Sequence, residues 1–187
     1  FTPRVVSALA PHVERITREV LDEAGQKERC DFVQDVSAKI TIAVIAEMLG
    51  VPREDWNLLF KWTNETIAPQ DPEFQRGGSV KETLQHSRME LFAYFHEMAI
   101  KRRAQPTNDI VSVVANSSVN GKPLETVELL SYYFLLVVAG NETTRNAMTG
   151  GLLAFIENPA EWRKLVRDAS LLDPAVEEIV RWTTPVI

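Results

Sequence analysis

The feature that most constrains this chain is the stretch from about residue 125 to residue 157, which contains no proline. As an α-helix its ~33 residues would span roughly 50 Å, longer than most globular helices, so it has to pass through the body of a domain. Residues 132–139 within it are apolar on every face, the pattern of a helix buried all round. The sequence then turns to Gly140-Asn141-Glu142-Thr143-Thr144-Arg145-Asn146 before returning to apolar and small residues through Ile156. Burying such groups costs a few kcal/mol each unless they are paired, so a polar island in a core helix needs a reason. Two readings stand. In one the helix continues: Gly140 weakens it by ~1 kcal/mol relative to Ala, and the Thr143 hydroxyl bonds back to the Ala139 carbonyl. The groove so opened sets one hydroxyl and one carboxylate, Glu142, beside an apolar pocket, the least apparatus that can pass protons there. In the other, Gly140 ends one helix, Asn141 or Thr143 caps the next, and the island is an exposed loop. The lack of proline and the matching apolar flanks favour the first.

Apolar positions recur every 3.6 residues along most of the chain and strand signals are scarce, so the fold class is mainly α. Thr2-Pro3 opens a short helix that Pro11 ends, and a longer one runs on to about Ala24 with Gly25 past its end. Cys30 to Val33 read as a short extended piece. A helix over residues 36–49 stops at Gly50, and Pro52 starts the helix of Trp56, Leu59, Phe60 and Trp62. Pro69 and Pro72 mark a loop, because each removes a backbone donor and pushes the residue before it out of the α region. A long helix over about 79–103 follows, then a short one over 109–115, and Asn120-Gly121 is a turn between two short strands. Asn158-Pro159 ends the long element, a helix covers residues 160–167, and Asp173-Pro174 caps a last one. Neither a repeat nor a linker divides the chain, so residues 1–187 are expected to belong to one domain. The start at Phe1 and the end shortly after Pro185 suggest a piece of a longer protein.

Composition narrows the functions. Twenty Lys and Arg against 26 Asp and Glu, a net charge of −6, argue against a nucleic-acid partner. The longest apolar run falls well short of the ~18–20 residues that cross a bilayer, and no leader pattern opens the chain, which predicts a cytoplasmic protein without a membrane span. Cys30 is the only cysteine, and His12, His86 and His96 are scattered without metal-ligand spacing, which argues against a structural zinc site, and an internal disulfide is impossible. His86 and His96 suit a solvated face. Trp56, Phe60, Trp62, Phe92, Tyr94 and Phe95 either roof a pocket or pack adjacent helices together, and packing is favoured. Glu178-Ile179-Val180-Arg181 places an acid and a base three apart on a helix, worth only ~0.2–0.5 kcal/mol when exposed. Its company, Ile179, Val180 and Trp182, predicts a helix with little exposed face, where the fork of an Arg is favoured for its geometry.

Ala139-Gly140-Asn141-Glu142-Thr143-Thr144 resembles the oxygen-binding stretch of the long central helix in cytochrome P-450 enzymes. Glu178-Ile179-Val180-Arg181 resembles their ExxR motif, in the right order and at the right separation. Phe1-Thr2-Pro3-Arg4 and Leu49-Gly50-Val51-Pro52 are similar to the end of helix C and the junction of helices E and F in bacterial members. The resemblance implies an incomplete P-450 fold, helices D to K without the haem-ligand loop, and the roles that follow. Glu142 and Thr143 are the acid and alcohol that relay protons to dioxygen, and Ala139 and Gly140, with Thr143, lie over haem b (iron protoporphyrin IX). Glu178 and Arg181 are structural, and Leu135, Val138 and Val186 line a substrate pocket. The family's thiolate ligand sits in a Gly-rich loop after the ExxR helix, beyond Ile187, and Cys30 is not it. The implied activity is monooxygenation of a small hydrophobic substrate by dioxygen, with electrons from NAD(P)H through a ferredoxin or flavodoxin. Trp62-Thr63-Asn64, Asp71-Pro72-Glu73 and residues 137–146 are similar to members that hydroxylate methyl-branched lipids and sterol side chains. The rival from another class is a non-catalytic all-α ligand-binding or dimerisation domain.

Overall fold

The computed structural model describes residues 2–185 and is mainly helical. Helix α1 runs unbroken over Pro3–Gly25, with Thr2 as its N-cap, so Pro11 sits inside one helix instead of separating two. The Ser7 carbonyl, which loses its donor to the proline ring, lies with Pro11 on the exposed side, open to solvent. Gly25 closes α1 as its last residue. Of residues 30–33, Asp31 is extended, but Phe32 and Val33 already belong to a helical turn. The Asp31 carboxylate accepts the N–H groups of Val33 and Gln34 at 2.9 and 3.1 Å and caps a π-helical turn, Phe32–Ser37, that leads into α2, Ala38–Leu49.

Past Gly50 a 3-10 turn, Arg53–Asp55, leads into α3, Trp56–Ile67. Helix α4, Val80–Ala104, is capped by Ser79, and α5, Ile110–Ala115, by Asp109, whose carboxylate takes the Ser112 N–H at 2.7 Å. Strands β1, Ser118–Val119, and β2, Lys122–Pro123, pair in antiparallel register, Val119 opposite Lys122. Asn120 and Gly121 between them both take positive φ, as a two-residue hairpin turn requires. Helix α6 spans Thr126–Glu157, α7 Pro159–Arg167 and α8 Leu172–Thr183. The cap before α8 is Asp168, which accepts from Ser170 at the head of a 3-10 turn, Ala169–Leu171; Asp173 lies inside the first turn of α8 instead.

Among the described residues the chain divides into two compact units, one made of residues 2–41 with 142–185, the other of residues 42–141. In the second, Ile42, Leu49, Leu59, Leu91, Phe95, Val111, Leu129, Tyr133 and Val137 belong to one apolar cluster. Burial of each large side chain is worth ~1.5–3 kcal/mol. The Phe95 and Tyr133 rings lie 5.2 Å apart, the Trp62 and Tyr94 rings 5.5 Å, so the aromatic residues pack helices together. The Tyr133 hydroxyl donates to the Val111 carbonyl at 2.8 Å, and burial pushes this phenol up to about 12. Helix α6 buries Leu129, Leu130, Tyr133 and Val137, while Tyr132 and Leu135 are 52% and 58% exposed. The apolar run is therefore not buried all round: one face meets the cluster and the other is open, because the apolar cluster of this unit lies on one side of it.

In the first unit, α1 buries Ile16, Val20 and Ala24, one stripe at four-residue spacing, and touches the π-helical turn. Helix α8 seats on the second half of α6 at two glycines. A Cβ at Gly150 would come within 2.6 Å of Thr183 Cγ2, and one at Gly151 within 2.8 Å of Ile179 Cγ2. Val180 and Trp182 are 50% and 67% exposed, so α8 has a wide exposed face and not the covered one its composition suggests.

Candidate functional site

Helix α6 continues through residues 140–146 without a break, which removes the loop reading of the polar island. Within residues 42–141, Ala139 is exposed and Asn141 is fully buried. The side of Gly140 that a Cβ would occupy faces Ile45, whose Cδ1 would lie 3.2 Å away, so this glycine lets α2 approach α6 closely. Leu135 is exposed one turn earlier on the same face as Ala139, and Val138 is half-buried. Val186 lies outside the described residues.

From Glu142 onward the island belongs to the other unit. Glu142 and Thr143 are both half-buried. One carboxylate oxygen of Glu142 accepts from Arg145 Nη2 and the other from Asn146 Nδ2 at 3.0 Å, the donors standing three and four residues later on the same helix face. The Arg145 carbonyl accepts the Thr149 hydroxyl at 2.8 Å, and Thr149 Oγ1 lies 3.1 Å from Ser37 Oγ, a fully buried hydroxyl at the end of the π-helical turn. The spacing of Glu142 to Arg145 and Asn146 is readable in the sequence. The Ser37–Thr149 contact, between residues 112 apart, has no sequence signal.

On α8, Arg181 grips Glu178 with both arms of its fork, Nε to Oε2 at 2.7 Å and Nη2 to Oε1 at 2.5 Å. That pairing holds the Glu178 carboxyl below the usual carboxylate range, although both side chains are more than half exposed. A largely apolar cavity of about 440 Å³ lies among α6, α7 and α8, lined by Phe155, Leu165, Pro174, Ile179 and Trp182 with Glu178 at its edge. Neither Glu142 nor Thr143 lines it. His86 and His96 are exposed on α4, as their charged surroundings predict. Cys30 is exposed between α1 and the π-helical turn, and among the described residues no cluster of His, Cys, Asp and Glu could hold a metal ion. Among them, too, no helix is long and apolar enough to cross a membrane.

No family model matches the chain. A steroid C26-monooxygenase of Mycolicibacterium smegmatis is 38% identical over 186 residues, which take in all of this chain and 42% of that protein. The P450 PksS of Bacillus subtilis superposes with a TM-score of 0.89 at 32% identity, over the whole chain and 46% of that structure. CYP268A2 of Mycobacterium marinum, solved in complex with pseudoionone, gives 0.92 at 29% identity over 97% of this chain and 44% of the other. The chain thus spans about two-fifths of the length of the curated relatives it matches.

Proposed function

The chain belongs to the cytochrome P450 family, and from that premise we propose that the whole protein is a monooxygenase acting on a hydrophobic substrate such as a lipid, terpenoid or sterol. Residues 1–187 form part of its single haem domain. Electrons come from NAD(P)H through a ferredoxin or flavodoxin-type partner. The observation that carries this reading is the pair Glu142 and Thr143, an acid and an alcohol at adjacent, half-buried positions of an unbroken helix. Side chains so placed can hold and hand on protons where bulk water is thinned.

The residues present fit one side of a haem. Leu135 and Ala139 leave an exposed, apolar face on α6, and the small Ala139 side chain gives a flat ring room to approach. Ala139, Gly140 and Thr143 are the residues that would lie over it. When bound, haem b supplies the reductive activation of dioxygen. Its thiolate we assign to a cysteine of the whole protein other than Cys30. Leu135 and Val138 offer apolar contact to the substrate, and Val186 is assigned beside them. Relatives named for a steroid reaction and solved with pseudoionone support a hydrophobic substrate class. Glu178 and Arg181 brace α8 through their bidentate pair and take no part in the chemistry.

The test is Thr143→Ala in the full-length protein. Product formed per NAD(P)H should fall roughly tenfold or more while haem stays bound, with hydrogen peroxide rising to match. Unchanged coupling would remove Thr143 from the proton path.

A further inference from the structure

The Glu142 carboxylate is held on both oxygens by its own helix, by Arg145 on one and Asn146 on the other. The ionic half of this hold is well shielded: the Arg145 and Glu142 side chains are only 14% and 18% exposed. Arg145 is itself fixed from behind, since its carbonyl carries the Thr149 hydroxyl and Thr149 meets the buried Ser37. Ser37 Oγ also lies 3.2 Å from the Val33 carbonyl inside the π-helical turn. A carboxylate so little exposed has poor access to water, so without its cation it gains most by swinging outward to be solvated.

We propose that Arg145 is a positioning residue that keeps the Glu142 carboxylate folded against α6, next to Thr143 in the chain and away from bulk water, between proton deliveries. This rests on the reading of Glu142 and Thr143 as the proton path. In each delivery the O–H bond of the Glu142 carboxyl breaks and its proton passes by way of water to the Thr143 oxygen. The hydroxyl proton of Thr143 passes to reduced dioxygen, the co-substrate of the proposed reaction, and the carboxylate left behind returns to Arg145 until water protonates it again. No electrons move in this step. Asn146, at an exposed position, supplies the neutral half of the hold, and the Ser37–Thr149 pair keeps the Arg145 turn of α6 in place.

Two readouts test the proposal on the full-length holoenzyme. The first is labelling of Glu142 with a carbodiimide and glycine ester, located by peptide mass spectrometry, which reports solvent access independently of turnover. The second is product formed per NAD(P)H. Arg145→Met should raise Glu142 labelling several-fold and lower coupling about tenfold, with haem retained. Arg145→Lys should restore both, since an ammonium still pairs with the carboxylate. Parent-like labelling and coupling in Arg145→Met would overturn the proposal, as would failure of Lys to rescue. Should Arg145→Met not fold, Arg145→Gln carries the same two outcomes, because it keeps a polar side chain while removing the charge and the reach of the guanidinium. Glu142→Gln separates this inference from the reading beneath it. If Glu142→Gln leaves coupling intact, the proton path itself is wrong; if it uncouples while Arg145→Met does not, the path stands and the role of Arg145 falls.

Discussion

At Gly50 a single missing side chain meets two demands. The residue ends α2 with φ +73°, a conformation that costs an L-residue about 1–2 kcal/mol. A Cβ there would also come within 2.2 Å of an Asp109 carboxylate oxygen. That oxygen accepts from Arg102 Nε at 2.6 Å and from the Thr107 hydroxyl at 2.7 Å, and Arg102 reaches back to the Gly50 carbonyl at 3.2 Å. Gly50→Ala is expected to cost about 2–4 kcal/mol, read as a lower urea midpoint of the full-length protein. That Gly50 stops a helix is legible from its place after an apolar-periodic run. Its closeness to Asp109 is not, because nothing in the sequence brings residues 50 and 109 together.

Among the elements, α6 shows how far a pattern reaches. Its length and continuity follow from the absence of proline over residues 125–157, which leaves every backbone donor available to the helix ladder. Which face is covered does not follow, since a run that is apolar on all sides fits burial on one side as well as on two. The crossing with α8 is likewise set by contact, and it explains two of the glycines in α6. In an open helix, Gly→Ala gains up to ~1 kcal/mol from propensity. At Gly150 and Gly151 the added methyl meets Thr183 and Ile179, so each substitution should instead cost about 1–3 kcal/mol. Gly25→Ala is the control: a Cβ there meets nothing within 4 Å, and stability should hold or rise. Thermal unfolding of the three full-length variants decides, and a stabilised Gly151→Ala would mean that α8 does not press on α6 as described. The acid and alcohol of α6 and the Glu178–Arg181 pair were readable because their spacing lies within one helix. The Asp168 cap does not stand out in the sequence because Asp173-Pro174 offers the same local chemistry five residues on.

At the scale of the whole molecule, the acid response of residues 42–141 turns on a site where three parts of the chain meet. Arg76, in the loop between α3 and α4, donates to Glu65 at 2.9 Å and to Glu90 at 2.8 Å; Trp62 and Lys61 add donors to Glu90 at 3.0 and 3.2 Å. Arg76 above all brings the Glu90 carboxyl down to about 2, whereas burial pushes Glu65 up against the pull of Arg76. A carboxyl depressed in the folded state contributes its stability fully above its ordinary range, and that contribution drains away as pH falls from about 4.5 towards 2. Glu65 has the opposite sign, since its buried anion is the costly form. Arg76→Met strands the buried Glu65 and leaves Glu90 only Lys61 and Trp62, and should cost about 3 kcal/mol near neutral pH, shrinking as acid protonates the two carboxylates. Urea midpoints of the full-length parent and variant at neutral and mildly acid pH check this, and an equal loss at both would refute it.

What the sequence determined by itself is what depends on neighbours along the chain: the helical class, most helix starts and stops, the Asn120-Gly121 turn, and the placing of Glu142, Thr143, Glu178 and Arg181 on helices. These follow from backbone dihedrals, capping and side-chain spacing, whose range is a few residues. Only the tertiary structure decided which face of α6 is covered, why Gly50, Gly150 and Gly151 admit no side chain, and how one arginine comes to serve both Glu65 and Glu90. Burial and pairing of that kind depend on groups that arrive from distant parts of the chain, and a local pattern carries no record of their arrival.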